Sequence, residues 1–307
     1  MKKSESKILF VPFWMQCPQH KAAASARFRA KWPAKYLEAD LCTELMAPQH
    51  LFDYDLVIFQ KCYNKKFLNL ARELKIRKKK VCFDICDSEW TQREDEVQKM
   101  IDMADFITCP TEMIRTKINS MSAKNCYVIP DGHDLEYYQP IQYAIIYKQE
   151  PLKMVWYGNS GTIITLQAIF LILNEICGKD DTLTIIADER ARSQAVGLKI
   201  KHKFVEWELE TANDEIRKHN LALNPKLDTF SYFKSNNKTA TAYILGLPCI
   251  ERWNIDIEGW KDDLIRMRNP QVRMKDLQSK RMYYLNNFSM ERVAEIWKKV
   301  IAKELKK

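Results

Sequence analysis

Glycine is scarce in this 307-residue chain: there are seven, and the first is Gly132. The amino-terminal half therefore cannot hold a glycine-rich phosphate loop of the GxGxxG or Walker type, which needs glycine for positive φ and close backbone approach. Any phosphate site of that kind belongs to the second half. Long apolar runs are also missing, since no stretch of 18 apolar residues occurs, and no membrane span is expected. The opening MKKSESKILFVPFW passes from charge straight into a strand-like segment without a small-residue cleavage site, so no signal peptide is expected and a cytoplasmic protein is the default. CxxC pairs are lacking, Cys82 and Cys86 being spaced differently, and the five histidines are scattered, so no metal site is expected. The nine cysteines, an odd number falling mostly in apolar runs, read as reduced core thiols.

What is present is enough to fold. With 46% hydrophobic residues the chain can build two domains, each with its own core. A formal net charge of +9 favours an anionic partner: a nucleotide, a phospholipid surface or a nucleic acid. The densest basic run, Lys75 to Lys80, has five charges in six residues and reads as a solvated helix end before a strand.

The periodicity alternates along the chain. Short apolar runs at Lys7 to Phe13, Tyr54 to Gln60, Val81 to Asp87, Ala104 to Cys109 and Cys126 to Pro130 predict buried parallel strands. Helical stretches separate them near 30 to 40, 65 to 76, 93 to 103 and 111 to 120. That order predicts a doubly wound parallel sheet. Prolines flanking a tyrosine-rich connector at 138 to 152 mark a boundary, giving a first domain over 1–140, a linker over 141–152 and a second domain over 153–288. The second domain repeats the plan, with strands at Lys153 to Tyr157, Leu183 to Ala187, His202 to Glu206, Leu221 to Asn224 and Pro248 to Glu251. Its helices fall near 162 to 177, 211 to 219 and 237 to 245. After Ser289, a plausible N-cap, an amphipathic helix places Val293, Ile296, Trp297, Val300 and Ile301 on one face.

Two strand-to-helix junctions can bind a phosphate. In WYGNSGT, residues 156 to 162, a strand runs into Gly158, Asn159, Ser160 and Gly161. In KSNNK, residues 234 to 238, Ser235, Asn236, Asn237 and Lys238 precede a short alanine-rich helix that Gly246 and Pro248 end. Free amides at a helix start favour an anion, Lys238 adds a charge and Ser235 a hydroxyl. The ordinary alternative for SNNK is a capping sequence.

In order and spacing these segments resemble a GT-B glycosyltransferase, in or near the large family 4 of nucleotide-sugar enzymes, over nearly the whole chain. SARFRAKWPAKYL (25 to 37) is similar to the helix after the first strand, and VCFDICDSEW (81 to 90) to a strand ending in an aspartate pair. CYVIPDGHDLEYYQP looks like the end of the first domain, and KMVWYGNSGT like the start of the donor domain. NLALNPK resembles the strand before the donor loop, and KSNNKTATAYILGLPCI the diphosphate helix. Phe233 and Thr241 stand where the family commonly has two glutamates. Either the Thr241 hydroxyl takes over the ribose contact or the donor is bound differently.

The resemblance implies two Rossmann-like domains facing across a cleft, with the 289–307 helix crossing back to the first. It implies transfer of a sugar from a nucleoside-diphosphate sugar to an acceptor hydroxyl, with retention, with neither cofactor nor metal. The leaving diphosphate would be met by Gly158, Asn159, Ser160, Ser235, the amides of Asn236 and Asn237, Lys238, and Arg190 or Arg192. Asp87 is the candidate base if configuration inverts and an orienting group if it is retained. Ser25, Arg27 and Trp90 are candidate acceptor contacts, although Arg27 could equally snorkel from its helix. The acceptor could be a glycan, a lipid or modified DNA. A noncatalytic nucleotide- or nucleic-acid-binding protein on the same scaffold is the competing reading.

Overall fold

The computed structural model describes residues 6–18, 23–44, 48–140, 151–227 and 231–307. The chain divides into two compact units, one of Met1–Asp134, Phe233–Ser235 and Phe288–Lys307, the other of Leu135–Tyr232 and Asn236–Asn287. Of the connector placed at 141–152, residues 141–150 lie outside the described residues.

The first unit is built on six parallel strands in the order β2-β1-β3-β4-β5-β6. They are β1 (Ile8–Val11), β2 (Asp40–Leu41), β3 (Leu56–Gln60), β4 (Lys80–Asp84), β5 (Phe106–Cys109) and β6 (Cys126–Val128). The central strands are mostly apolar because both of their faces are buried, as in the wholly buried β3 and β5, whose polar residues are Gln60 and Thr108. The helix Lys65–Ile76 begins where the Asn64 side chain accepts from the amides of Lys66 (3.1 Å) and Phe67 (3.3 Å), and it buries Phe67, Leu68, Ala71 and Leu74. Between β1 and β2 the helical stretch starts at Ala24, earlier than the periodicity predicts, and contains a π-helical segment, Arg27–Lys31. It ends at Tyr36, before Glu38 at φ 52°.

The carboxy-terminal helix Met290–Leu305 completes this unit. Trp297 is fully buried and meets the Phe10 ring edge-on at 5.6 Å. Gly132 makes the close approach possible: a Cβ there would sit 2.5 Å from the Met290 sulfur. Backbone bonds from His133 to Phe288 (2.7 Å) and from Met290 to His133 (2.8 Å) tie the two segments together. The Ser289 hydroxyl accepts the Arg292 amide at 3.4 Å. Ser289→Ala is expected to cost about 1 kcal/mol, the usual worth of an N-cap, read as a lower urea midpoint with an unchanged slope.

The second unit has five parallel strands in the order β11-β10-β7-β8-β9. These are β7 (Lys153–Tyr157), β8 (Thr182–Ala187), β9 (Lys201–Glu206), β10 (Leu221–Lys226) and β11 (Cys249–Trp253). The helix expected over 162 to 177 is two shorter ones, Ile164–Gln167 and Phe170–Ile176. The helix Asn237–Leu245 stops at Gly246, whose φ of 92° suits glycine and closes the left-handed C-cap. Two helices that the periodicity did not single out follow β11, Ile257–Arg266 and Pro270–Phe288. The first is capped by Asp256, which accepts the Gly259 amide at 3.1 Å. All nine cysteines are free thiols and six are buried. No described helix is long and apolar enough to cross a membrane.

Candidate functional site

In an open parallel sheet, ligands bind beyond the carboxyl ends of the strands where the strand order reverses. In the second unit that reversal is at β7: β8 and β9 extend to one side, β10 and β11 to the other. The segments leaving β7 and β10 are the two junctions singled out from the sequence.

After β10 the chain returns as the helix Asn237–Leu245. No side chain of its N-cap residue, Asn236, closes the helix start. The first amides of a helix have no intrahelical acceptor and carry its partial positive charge. Asn236 is exposed, while Asn237 and Lys238 are half-buried. The Lys238 ammonium lies 4.6 Å from the centre of the Trp156 ring, and the Tyr157 hydroxyl donates to the Lys238 carbonyl. This places a cation beside the end of β7. Beneath the helix start, the Asn224 side chain donates to the Thr239 hydroxyl at 2.8 Å, Thr239 bonds Glu251, and Lys226 stands 3.5 Å from Glu251. Thr241 is buried.

The β7 junction is more occupied. The Asn159 amide donates to the Thr162 hydroxyl at 3.0 Å and the Ser160 amide to Asp188 at 2.6 Å. The Gly158 amide donates to the Ile186 carbonyl at 3.0 Å. An anion at this loop has to displace the loop's own acceptors. Arg190 pairs with Asp188 at 3.1 Å on an 84% exposed side chain, and Arg192 pairs with Glu189 at 2.6 Å.

The first unit gathers a second set of charges at the carboxyl ends of β3 and β4. Asp87 accepts from Lys61 Nζ at 2.7 Å and also from Lys234. Lys61 additionally meets Glu89 at 2.5 Å, and Glu89 accepts the Tyr63 hydroxyl at 2.5 Å. Lys61 holds φ 53°, a left-handed conformation costing a non-glycine residue roughly 1–2 kcal/mol. Such strain persists where surrounding contacts over-determine it. Burial pushes the Asp87 carboxyl up, but the two lysines outweigh it and hold its pKa at about 2. A carboxylate so stabilised is a feeble proton acceptor and a good anchor for cations or hydroxyls.

That balance is testable. With Lys61→Met the burial penalty loses its largest opponent, so the Asp87 titration should move up from about 2 toward or past the ordinary carboxylate value. Because the folded pKa is the depressed one, the stability this pair contributes is complete above about pH 4 and is lost as pH falls toward 2. Carboxyl-carbon NMR of Asp87 in the two proteins reads the shift directly. An unmoved midpoint would mean that Lys61 does not set it.

Deeper in the same unit, Asp84 and Arg29 form a fully buried pair. Arg29 Nε reaches Asp84 at 3.2 Å, its Nη2 reaches it at 2.5 Å, and Thr108 donates to the same carboxylate at 2.6 Å. Asp131 accepts the Ser235 hydroxyl at 2.6 Å and lies 3.5 Å from Arg29. Burial pushes the Asp131 carboxyl up, with Arg29 and Ser235 pulling it back.

Of the remaining expected contacts, Ser25 is half-buried. Arg27 is buried, with its guanidinium 5.8 Å from the Trp32 ring centre. Trp90 belongs to the core of the first unit and meets Phe233 edge-on at 5.2 Å. Within KSNNK, Lys234 serves Asp87 and Ser235 serves Asp131, while the helix start and Lys238 stand beside the end of β7, where a diphosphate would fit. Arg29, Lys61, Lys226 and Glu251 were not reached from sequence. Asp84 inside an apolar strand was the available signal, because a buried carboxylate demands a partner. Among the described residues no group of three His, Cys, Asp or Glu is placed to hold a metal ion.

Known structures share this architecture. Anabaena HepE in complex with UDP and glucose matches with a TM-score of 0.69 at 12% identity, covering 97% of this chain and 100% of that one. An alpha-glucosyltransferase in complex with UDP and a 13-mer DNA containing a HMU base matches with a TM-score of 0.69 at 8% identity, over 98% and 100%. The lipopolysaccharide outer core galactosyltransferase WaaB, in its apo form, matches with a TM-score of 0.61 at 13% identity, over 97% and 99%. At such identities the likeness is one of fold, and the fold is GT-B. No protein-family model and no curated protein sequence matches the chain.

Proposed function

We propose that the protein is a glycosyltransferase that takes a sugar from a UDP-sugar and transfers it to an acceptor hydroxyl. The observation that carries this reading is the start of the helix Asn237–Leu245, not closed by its N-cap side chain at the switch point of the second sheet and flanked by Lys238. Helix amides and an ammonium meet the charge that develops on the departing diphosphate, the charge that most needs stabilising in such a transfer. The UDP complexes among the structural neighbours support a uridine donor. In this reading the leaving group is neutralised by protein groups, and turnover persists in a chelator.

The weakness of Asp87 as a base supports retention of configuration, with Asp87 orienting a hydroxyl. A DNA acceptor carrying a hydroxymethylated base is favoured by the net charge of +9 and by the DNA-bound neighbour. A glycan or lipid acceptor is the other arm of the same test.

The test is release of UDP from UDP-glucose and UDP-galactose by the full chain, with and without EDTA, alongside calorimetric titration with UDP. Slow hydrolysis without acceptor and binding of UDP are expected. Transfer to hydroxymethylated but not plain duplex identifies the DNA acceptor. A chain that binds no nucleoside diphosphate and hydrolyses no donor is not a transferase, and tight DNA binding with a steep salt slope would make it a binding module instead.

A further inference from the structure

The net charge of +9 is not shared between the two units. The first holds 29 Lys and Arg against 21 Asp and Glu, the second 20 against 19, so a formal +8 sits on the first and +1 on the second. In the first unit the helix Met290–Leu305 and the two residues after it carry six cations and three carboxylates. Four of those cations are in line. At about 100° per residue, Arg292, Lys299, Lys303 and the C-cap residue Lys306 fall within about 60° of arc, on a stripe about 21 Å long. All four are exposed, and the stripe lies away from the side that buries Val293, Trp297, Val300 and Ile301.

The counter-charges are already taken. Glu295 pairs with Lys298 at 2.9 Å and the buried Glu304 with Lys307 at 2.7 Å, and among the described residues no carboxylate lies within ion-pair distance of the four. The Glu295 carboxyl is drawn below its ordinary value by Lys298 first, then by Lys299 and Arg292, so one carboxylate faces three cations. The helix itself does not call for this arrangement. Its dipole suits Lys303 and Lys306 near the carboxyl end, but Arg292 stands in the first turn, where the positive end repels it. Lys299 and Lys303 are an i,i+4 pair of like charge, which destabilises a helix. A line of uncompensated cations is what an extended polyanion neutralises. Duplex DNA presents one phosphate per ~3.4 Å of each strand, so the stripe runs the length of about six. A bilayer surface is met by cations with apolar residues beside them, and among the described residues of the first unit the only exposed large hydrophobic one is Ile76.

We propose that the outward stripe Arg292, Lys299, Lys303 and Lys306 is a docking surface for the phosphate backbone of a nucleic-acid duplex, without base readout. It goes beyond the donor site and concerns binding alone, so it stands whether or not a base is glycosylated.

The experiment follows binding of the full chain to a fluorescently labelled plain duplex of about 20 base pairs, by anisotropy, between about 50 and 200 mM salt. The logarithm of affinity should fall with the logarithm of salt at a slope of about −3 to −4, the value for four neutralised phosphates at about 0.9 each. Lys299→Gln with Lys303→Gln should weaken binding at least about tenfold at the low-salt end and flatten the slope by about two. Arg292→Gln with Lys306→Gln, at the two ends of the stripe, should do the same. Lys199→Gln with Lys201→Gln, an equal charge change at exposed lysines of the second unit, should leave affinity within about threefold and the slope unaltered. Every substituted side chain is exposed, so the unfolding temperature and UDP affinity should hold in all three variants. Absence of duplex binding, a slope unchanged in both stripe variants, or an equal loss in the second-unit variant overturns the proposal. Stripe-dependent binding to phosphatidylglycerol vesicles with none to the duplex overturns it too and makes the partner a membrane. Loss of UDP binding by the unsubstituted chain, with duplex binding intact, would instead overturn the donor reading and leave this one standing.

Discussion

Arg29→Met is expected to destabilise the first unit by about 3–5 kcal/mol, a large share of the roughly 5–15 kcal/mol that holds a domain folded. Arg29 and Asp84 are both fully buried, and two of the guanidinium nitrogens reach the Asp84 carboxylate. Arg29 also supplies the Ile129 carbonyl and, at 3.3 Å, that of Pro130. Methionine fills much of the volume but leaves the carboxylate in the core with, among the described residues, the Thr108 hydroxyl to answer it. The attraction within such a pair barely repays its desolvation, so the loss comes from the orphaned partner. Urea unfolding followed by tryptophan fluorescence reads the shift, and Arg29→Met with Asp84→Leu should recover most of it. A single variant losing under about 1 kcal/mol would mean that water reaches Asp84.

The second large effect belongs to Lys238. Lys238→Met should lower turnover of a UDP-sugar by about 10²–10³, equivalent to roughly 2.7–4 kcal/mol of transition-state stabilisation, with a much smaller change in KM. Charge on the diphosphate grows as the glycosidic bond breaks, so a cation placed at the helix start binds the transition state better than the substrate. Methionine keeps a side chain of similar length and removes the ammonium that lies over the Trp156 ring. A purely structural lysine predicts the opposite pattern, lower stability with kcat unchanged. Equal kcat in the two proteins would remove Lys238 from the reaction.

Much of the scaffold was legible because its signals are local. The run Leu56–Gln60 is wholly apolar up to its last residue, Asn64 sits where an N-cap is needed, and Gly246 follows an alanine-rich helix. Each reports a strand, a start or a stop within a few residues of itself. The second-unit helices after β11 were missed because their apolar positions are sparse: Ile257–Arg266 buries only Trp260 and Leu264. The helix Asn237–Leu245 was found through its turn chemistry. Its relation to Trp156 was not, since that depends on which strand lies beside it.

What the sequence alone determined is the alternation of strands and helices, the confinement of glycine-dependent sites to the second half, and the helix start that fits a diphosphate. All are set by neighbours along the chain. Tertiary structure alone decided which charges meet: Arg29 finds Asp84 across 55 residues, Lys61 finds Asp87 across 26, and Lys234 reaches the same aspartate across 147. It also decided that two lysines flank Asp87 and hold its carboxyl below the ordinary range. A pKa depends on the summed field of groups brought close by folding, and no reading along the chain contains those distances.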